Sequence, residues 1–193
     1  MISSKKELKE WLDIERKQYG CKTGLNGLIS YFAGNENAVI WHFQKRMRLT
    51  EYYLNTHKKL LYYQSLFRFN HLRNRYSMII FLNTCEKGLR IMHLGPLLIN
   101  KKARIGKGCA LHINTAIVAH GVSDDAPIIG NGVVIGVGAV VLGGIRVADN
   151  VAIGANAVVN HDIDEENIAV AGAPTKKVSN NGRLNWNKAD GKQ

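Results

Sequence analysis

The chain has 193 residues, a formal net charge of +11 and 46% hydrophobic residues. This length suffices for one domain, or one domain with a helical extension, that buries a core without disulfides. The longest purely apolar run, Met78 to Leu82, is too short for a membrane-spanning helix. Met1 to Glu10 lack the apolar core of a secretory signal, and the three cysteines have no metal-binding or redox spacing. We therefore expect a cytoplasmic protein with reduced thiols.

The positive charge is concentrated in the first half of the chain. Residues 1–90 contain 16 Lys and Arg against 7 Asp and Glu. Such a field attracts nucleic acid, anionic membrane surfaces or acidic small molecules, including acidic glycans. No nucleic-acid-binding motif accompanies the charge, so we expect no nucleic-acid partner. Contact of the basic helices with a membrane surface stays open beside their packing against their own domain.

Residues 1–85 are predicted to form an α-helical domain. Ser4 and Glu7 have the spacing of a capping box, and apolar residues at helical spacing follow until Gly20. One or two longer helices are expected over residues 37–76. Between them, a looser stretch is indicated by Gly24, Gly27 and Gly34.

Residues 86–175 follow a different pattern, with an aliphatic residue at almost every sixth position. An α-helix cannot keep this period over many repeats, because its apolar face would rotate away. A coil with three flat faces of six residues each satisfies the pattern, which predicts a mainly β fold, a β-solenoid. The aliphatic column consists of Ile99, Ile105, Leu111, Ile117, Ile129, Ile135, Val141, Val147, Ile153 and Val159.

The column is interrupted at Ser123. Its surroundings, residues 121–127, are polar and contain Asp124 and Asp125. A polar run cannot fill the inside of a dry prism, so a loop that bulges outward is predicted here.

The second half resembles the hexapeptide-repeat acyltransferases, within them the serine O-acetyltransferase-like group. The resemblance rests on Gly88–Pro96, on Ile105-Gly106-Lys107-Gly108, on Ile129–Ala139, on Ile153–Val159 and on Ala171-Gly172-Ala173-Pro174. It implies a left-handed parallel β-helix, a homotrimer with active sites between neighbouring prisms, and acetyl-CoA as co-substrate without a metal. Outward apolar residues also favour a trimer, for example Val134, Val140 and Val158.

By this resemblance, His93 matches the histidine that removes the proton of the acceptor hydroxyl. An imidazole is suited to this task near neutral pH. His112, which follows the inward Leu111, and His120, which borders the loop, are alternatives and are predicted to contact the substrate. Asp124 and Asp125 are predicted to orient an imidazole or to bind the acceptor, and a solvated loop is the alternative.

The resemblance also implies where CoA binds. Main-chain groups along the later coils are expected to contact it, and small side chains let the pantetheine arm approach the backbone. In a C-terminal tail over residues 176–193, two lysines are candidates for the CoA phosphates. The predicted CoA-binding residues are Gly121, Gly138, Ala139, Gly154, Ala155, Lys176 and Lys177.

The acceptor is predicted from departures from the serine enzymes. Where they have an aspartate before the catalytic histidine, this chain has Met92, and Asp125 and Ala126 replace an Arg-His pair. We therefore expect a saccharide hydroxyl, of a capsule or surface polysaccharide or its precursor, as acceptor. Serine O-acetylation in cysteine biosynthesis is the alternative, and a non-catalytic trimeric scaffold that binds an anionic partner is the alternative of another class.

Overall fold

The computed structural model describes residues 1–121 and 123–183. The first part of the chain forms the helices α1 (Lys5–Gln18), α2 (Gly24–Phe32), α3 (Glu36–Asn55) and α4 (Lys59–Arg75). The predicted capping box opens α1, since the Ser4 hydroxyl accepts a hydrogen bond from the Glu7 amide and the Glu7 carboxylate accepts one from the Ser4 amide. The predicted stretch over residues 37–76 consists of two helices, α3 and α4.

The prediction of a loose stretch between Gly24 and Gly34 is wrong. Gly24 is the first residue of α2, Gly27 lies inside the helix, and Gly34 follows its C-cap residue Ala33. Thr23 precedes α2 with extended backbone, and apolar side chains then recur at helical spacing. None of the residues of α2 is buried, so this helix turns an apolar face outward.

The rest of the described chain forms short strands in three sheets. The first sheet contains β1 (Met78–Ile79), β3 (Leu97–Ile99), β6 (Thr115–Val118), β9 (Val140–Leu142) and β12 (Val158–Val159). The second contains β4 (Arg104–Ile105), β7 (Ile128–Ile129) and β10 (Arg146–Val147). The third contains β2 (Arg90–Ile91), β5 (Ala110–Leu111), β8 (Val134–Ile135), β11 (Ala152–Ile153), β13 (Ala169–Ala171) and β14 (Lys176–Ser179).

All pairings except that of β13 with β14 are parallel, and successive coils pair at a nearly constant distance along the chain. Leu97 pairs with Thr115, and Val140 pairs with Val158, which in both cases is one coil of 18 residues. Ala116, however, pairs with Val140, 24 residues further on. The loop around Ser123 therefore inserts one hexapeptide length into a coil. This insertion explains why the aliphatic column resumes in register after it.

The aliphatic column fills the inside of this parallel β-helix. Every one of its ten residues is at most 3% exposed. The expectation that Val134 lies on an outer apolar face is wrong, because this side chain is buried within the protomer. Val140 and Val158 are half-buried, and Leu98 and Ile128 are exposed on the outside of the coil.

A buried ion network fixes the helices to the first coil. The Arg48 guanidinium contacts Glu15 at 2.8 Å and Glu51 at 2.9 Å, and all three side chains are almost fully buried. Arg48 also donates to the carbonyl oxygens of Cys85 and Glu86, where the β-helix begins. Such a network is costly to break, because a lone buried charge would remain. It holds the start of the β-helix against α1 and α3.

The C-terminal part of the described chain differs from the predicted tail. Lys176–Ser179 forms β14, which pairs antiparallel with β13 and closes the third sheet. The predicted division of the chain at residues 85 and 175 stays a prediction, and residues 184–193 of the expected tail lie outside the described part. Among the described helices, none combines the length and apolar character that crossing a bilayer requires.

Candidate active site

One edge of the β-helix collects most of the candidate residues. We call it the histidine corner; it consists of the turns that join the third sheet to the first, at residues 92–96, 112–114, 136–139 and 154–157. His93 lies in the first of these turns and His112 in the next, and their ring centroids are 6.1 Å apart. The regular coil places both histidines on the same edge because one turn of the coil separates them.

The helical domain adds a carboxylate to His93. Glu36 is the first residue of α3, after the N-cap residue Asn35. One Glu36 carboxylate oxygen accepts a hydrogen bond from the Leu94 amide at 2.9 Å, and the other lies 3.5 Å from His93 Nδ1. A carboxylate at Nδ1 favours the tautomer in which the other ring nitrogen, Nε2, is free to accept a proton.

Sequence reasoning missed Glu36, which precedes His93 by more than fifty residues. A signal was nevertheless present in the sequence. Glu36 is the only Asp or Glu between Arg16 and Thr50. An isolated carboxylate in so basic a stretch, directly after an N-cap residue, is well placed to meet a positively charged or titratable partner.

His112 differs from His93 in its surroundings. Its side chain is buried, whereas that of His93 is about half exposed. Burial lowers the pKa of His112, and the neighbouring His93 and Arg90 lower it further. His112 is therefore neutral near pH 7, where it exchanges hydrogen bonds but adds no positive charge.

The predicted CoA-binding residues of the coil lie further along the histidine corner. Gly138, Ala139, Gly154 and Ala155 all belong to its later turns. A side chain at Gly138 would collide with Asn156, so this glycine also has a packing role. The Ala139 methyl group is buried inside the coil, its amide donates to the Gly136 carbonyl, and its carbonyl accepts from the Ala116 amide, so its main-chain groups already have partners within the coil.

The loop candidates lie on a different edge. His120, Gly121, Asp124 and Asp125 belong to the connection from β6 in the first sheet to β7 in the second. The Asp124 carboxylate forms an ion pair with Lys102 at 3.0 Å, and this contact lowers the pKa of Asp124. Within one protomer, the described residues of this loop therefore do not join His93.

The two lysines predicted to meet the CoA phosphates lie on β14. Lys177 contacts the Glu165 carboxylate, so part of its charge is neutralised. Lys176 is exposed. No group of three or more His, Cys, Asp or Glu among the described residues is arranged to hold a metal ion.

Three comparisons identify what the chain is similar to. A serine acetyltransferase of Helicobacter pylori is 38% identical over 95 residues, which is 48% of this chain and 55% of that protein. The structure of the Neisseria gonorrhoeae serine acetyltransferase in complex with serine superposes with a TM-score of 0.66 at 24% identity, covering 91% of this chain and 71% of that one. The Brucella abortus serine acetyltransferase in complex with coenzyme A gives a TM-score of 0.68 at 21% identity, covering 92% and 70%. No protein-family profile matches the chain.

The fold is the left-handed parallel β-helix, preceded by α-helices, as the sequence predicted. The likeness to serine acetyltransferases agrees with the predicted resemblance to the hexapeptide-repeat acyltransferases, in their serine O-acetyltransferase-like group. The chain spans about half the length of the Helicobacter pylori relative.

The prediction of a saccharide acceptor, and with it a role in polysaccharide biosynthesis, is wrong. The relative and the solved structures compared above are all serine acetyltransferases. The prediction rested on Met92, which replaces an aspartate beside the catalytic histidine. It rested also on Asp125 and Ala126, and it did not consider carboxylates distant in sequence, such as Glu36, which lies 3.5 Å from His93 Nδ1.

Proposed function

We propose that this protein transfers the acetyl group of acetyl-CoA to the hydroxyl of serine. The observation that carries the proposal is the contact between Glu36 and His93. It supplies a histidine with a defined tautomer and, in the same place, the negative charge that position 92 lacks. The likeness to serine acetyltransferases supports the same acceptor.

In the proposed reaction, the serine hydroxyl oxygen attacks the thioester carbonyl carbon while His93 Nε2 accepts the hydroxyl proton. The carbon–sulfur bond then breaks, and the proton passes from His93 to the departing thiolate. The products are O-acetylserine and CoA. Glu36 stabilises the imidazolium that forms between the two steps, and no acyl-enzyme is required.

The charges around His93 suit a zwitterionic acceptor. Glu36 is negative, and Arg90 lies close enough to lower the pKa of the adjacent His112. An amino acid brings one ammonium and one carboxylate group, and both need partners when they leave water.

Within this proposal, the protein acts as a homotrimer whose active sites lie between neighbouring prisms. The histidine corner of one protomer would then face the loop with His120 and Asp124 of the next. This arrangement supports a role in substrate binding for loop residues that are remote from His93 within the protomer. CoA is proposed to lie along the later turns of the histidine corner, around Gly154 and Ala155.

The experiment is a measurement of acetyl-CoA consumption with purified protein, with L-serine and a panel of neutral and acidic saccharides as acceptors. We expect saturable turnover with L-serine. We expect serine methyl ester and N-acetylserine, which each lack one charge, to be poor acceptors. Turnover of a saccharide with L-serine inert would overturn the proposal.

A further inference from the structure

The surface of α2, α3 and α4 has little negative charge. From Arg16 to Cys85 the chain contains 11 Lys and Arg but only two acidic residues, Glu36 and Glu51. Glu51 is buried against Arg48, and Glu36, which is 48% exposed, contacts Leu94 and His93. The exposed part of these three helices is therefore predominantly cationic.

This cationic surface also exposes large apolar side chains. On α2 these residues follow the i, i+3, i+4, i+7 spacing of one helix face. They are between 53% and 81% exposed, and α4 adds Phe67 at 77%. The stripe on α2 consists of Leu25, Leu28, Ile29 and Phe32.

Two adjacent cavities connect the apolar stripe with the cations. The first, of about 600 Å³, lies between α2, α3 and the connection from α1, and Arg16, Lys22, Lys45 and Leu28 line it. Of these cations, Arg16 also contacts the Asp13 carboxylate on α1, at 3.9 Å. The second, of about 400 Å³, lies between α3 and α4 and is lined by Arg46, Arg68 and Phe67. His42 lines both, and no acidic residue lines either. We call the α2 stripe, Phe67 and these five cations the basic helical face.

The combination of positive charge and exposed apolar area indicates which kind of partner can cover the basic helical face. A second copy of the chain would bring the same cations against this face, and like charges without counterions repel. Nucleic acid would satisfy the cations but leaves the aliphatic stripe of α2 in water. A bilayer with anionic headgroups satisfies both, because its phosphates meet Lys and Arg while its acyl chains accept Phe and Leu.

We propose that the basic helical face docks the protein on membranes that contain anionic phospholipid. The α2 stripe inserts at the headgroup boundary, and the two cavities receive headgroup phosphates. The protein lies on the bilayer without crossing it. The interaction is reversible, since it depends on screened charges and on a single short helix.

The test is co-sedimentation of the full chain with vesicles of phosphatidylcholine alone or mixed with phosphatidylglycerol. We expect binding to the mixed vesicles only, and loss of that binding as salt is raised. Phe32→Ser should weaken binding at least about tenfold, the usual worth of one buried large apolar side chain. Lys45→Gln and Arg46→Gln should each weaken it about fivefold, which corresponds to one cation near an anionic surface.

The controls remove equivalent groups from the β-helix. Val178, which is 64% exposed on β14, and Lys101, which is exposed before β4, lie outside the basic helical face. Val178→Ser and Lys101→Gln should bind like the wild type. The proposal is overturned if the wild type stays in the supernatant with mixed vesicles, or if Phe32→Ser behaves like Val178→Ser. It is also overturned if Phe32→Ser lowers the mass measured by sedimentation equilibrium without vesicles, since a second copy of the chain then covers α2. A third contradicting result is that free glycerol phosphate abolishes binding to the mixed vesicles, because the face would then bind a small phosphate and not a membrane.

Discussion

Replacing Glu36 by Gln tests how the helical domain contributes to catalysis. The substitution keeps the shape of the side chain and an oxygen for the Leu94 amide, but removes the negative charge 3.5 Å from His93 Nδ1. In the proposed reaction His93 becomes an imidazolium, which the carboxylate stabilises. The variant therefore loses an interaction that is strongest in the transition state, so kcat should fall more than KM changes.

The size of the effect follows from the distance and the exposure. Unit charges 3.5 Å apart attract by about 1 kcal/mol in water and by about 5 kcal/mol at an effective dielectric constant of 20. The two side chains are 55% and 48% exposed, so the lower end applies. We expect a loss of about 1–2 kcal/mol, or roughly 5- to 30-fold in kcat. Glu36→Asp should retain more activity than Glu36→Gln.

A double-mutant cycle separates this role from a structural one. The assay is initial-rate acetylation of L-serine by the wild type, Glu36→Gln, His93→Ala and the double variant. If Glu36 acts through His93, Glu36→Gln costs nothing further once His93 is absent. Losses that multiply independently would refute the reasoning, because Glu36 would then act on the substrate or on the fold.

Three further outcomes follow from the buried groups. Arg48→Met leaves Glu15 and Glu51 buried without their partner and should destabilise the protein by about 3–5 kcal/mol in urea unfolding. Lys102→Met, which breaks the exposed pair with Asp124, should leave the urea midpoint almost unchanged. Burial raises the pKa of Cys85 to about 12 and that of Cys109 to about 11. A thiol reagent near neutral pH should therefore label only Cys21 before the protein unfolds. Labelling of Cys85 or Cys109 in the native protein would contradict their placement. Because burial lowers the pKa of His112, the unfolded chain binds a proton at this residue before the folded protein does as pH falls, and the free energy of unfolding should decline below about pH 6.5. In His112→Gln, the free energy of unfolding should fall less between about pH 7 and about pH 5. If it falls as steeply as in the wild type, His112 is not the source of the decline.

The coil was predictable because its constraint is local and repeated. Each aliphatic residue from Ile99 to Val159 points into the same prism, so the period of six is visible without knowledge of the fold. Even the break at Ser123 was informative, since the loop inserts one hexapeptide length and preserves the register. The capping box of α1 is similarly a property of neighbouring residues.

The errors concern contacts between distant parts of the chain. The side chain that meets His93 comes from α3, and a comparison of position 92 with the serine enzymes could not find it. The helix α2 was missed because its glycines suggested a loop and its apolar face has no partner within the protomer. Burial of Val134 likewise depends on how the coil packs, which the period alone does not determine.

The most direct test of the proposed function is the identification of the product by mass spectrometry. Wild-type protein incubated with acetyl-CoA and L-serine should form O-acetylserine in step with the release of CoA. His93→Ala should form it roughly a hundredfold to ten-thousandfold more slowly, the usual contribution of a general base, while binding CoA as the wild type does. Absence of O-acetylserine with the wild type, or its formation at an undiminished rate by His93→Ala, would contradict the account.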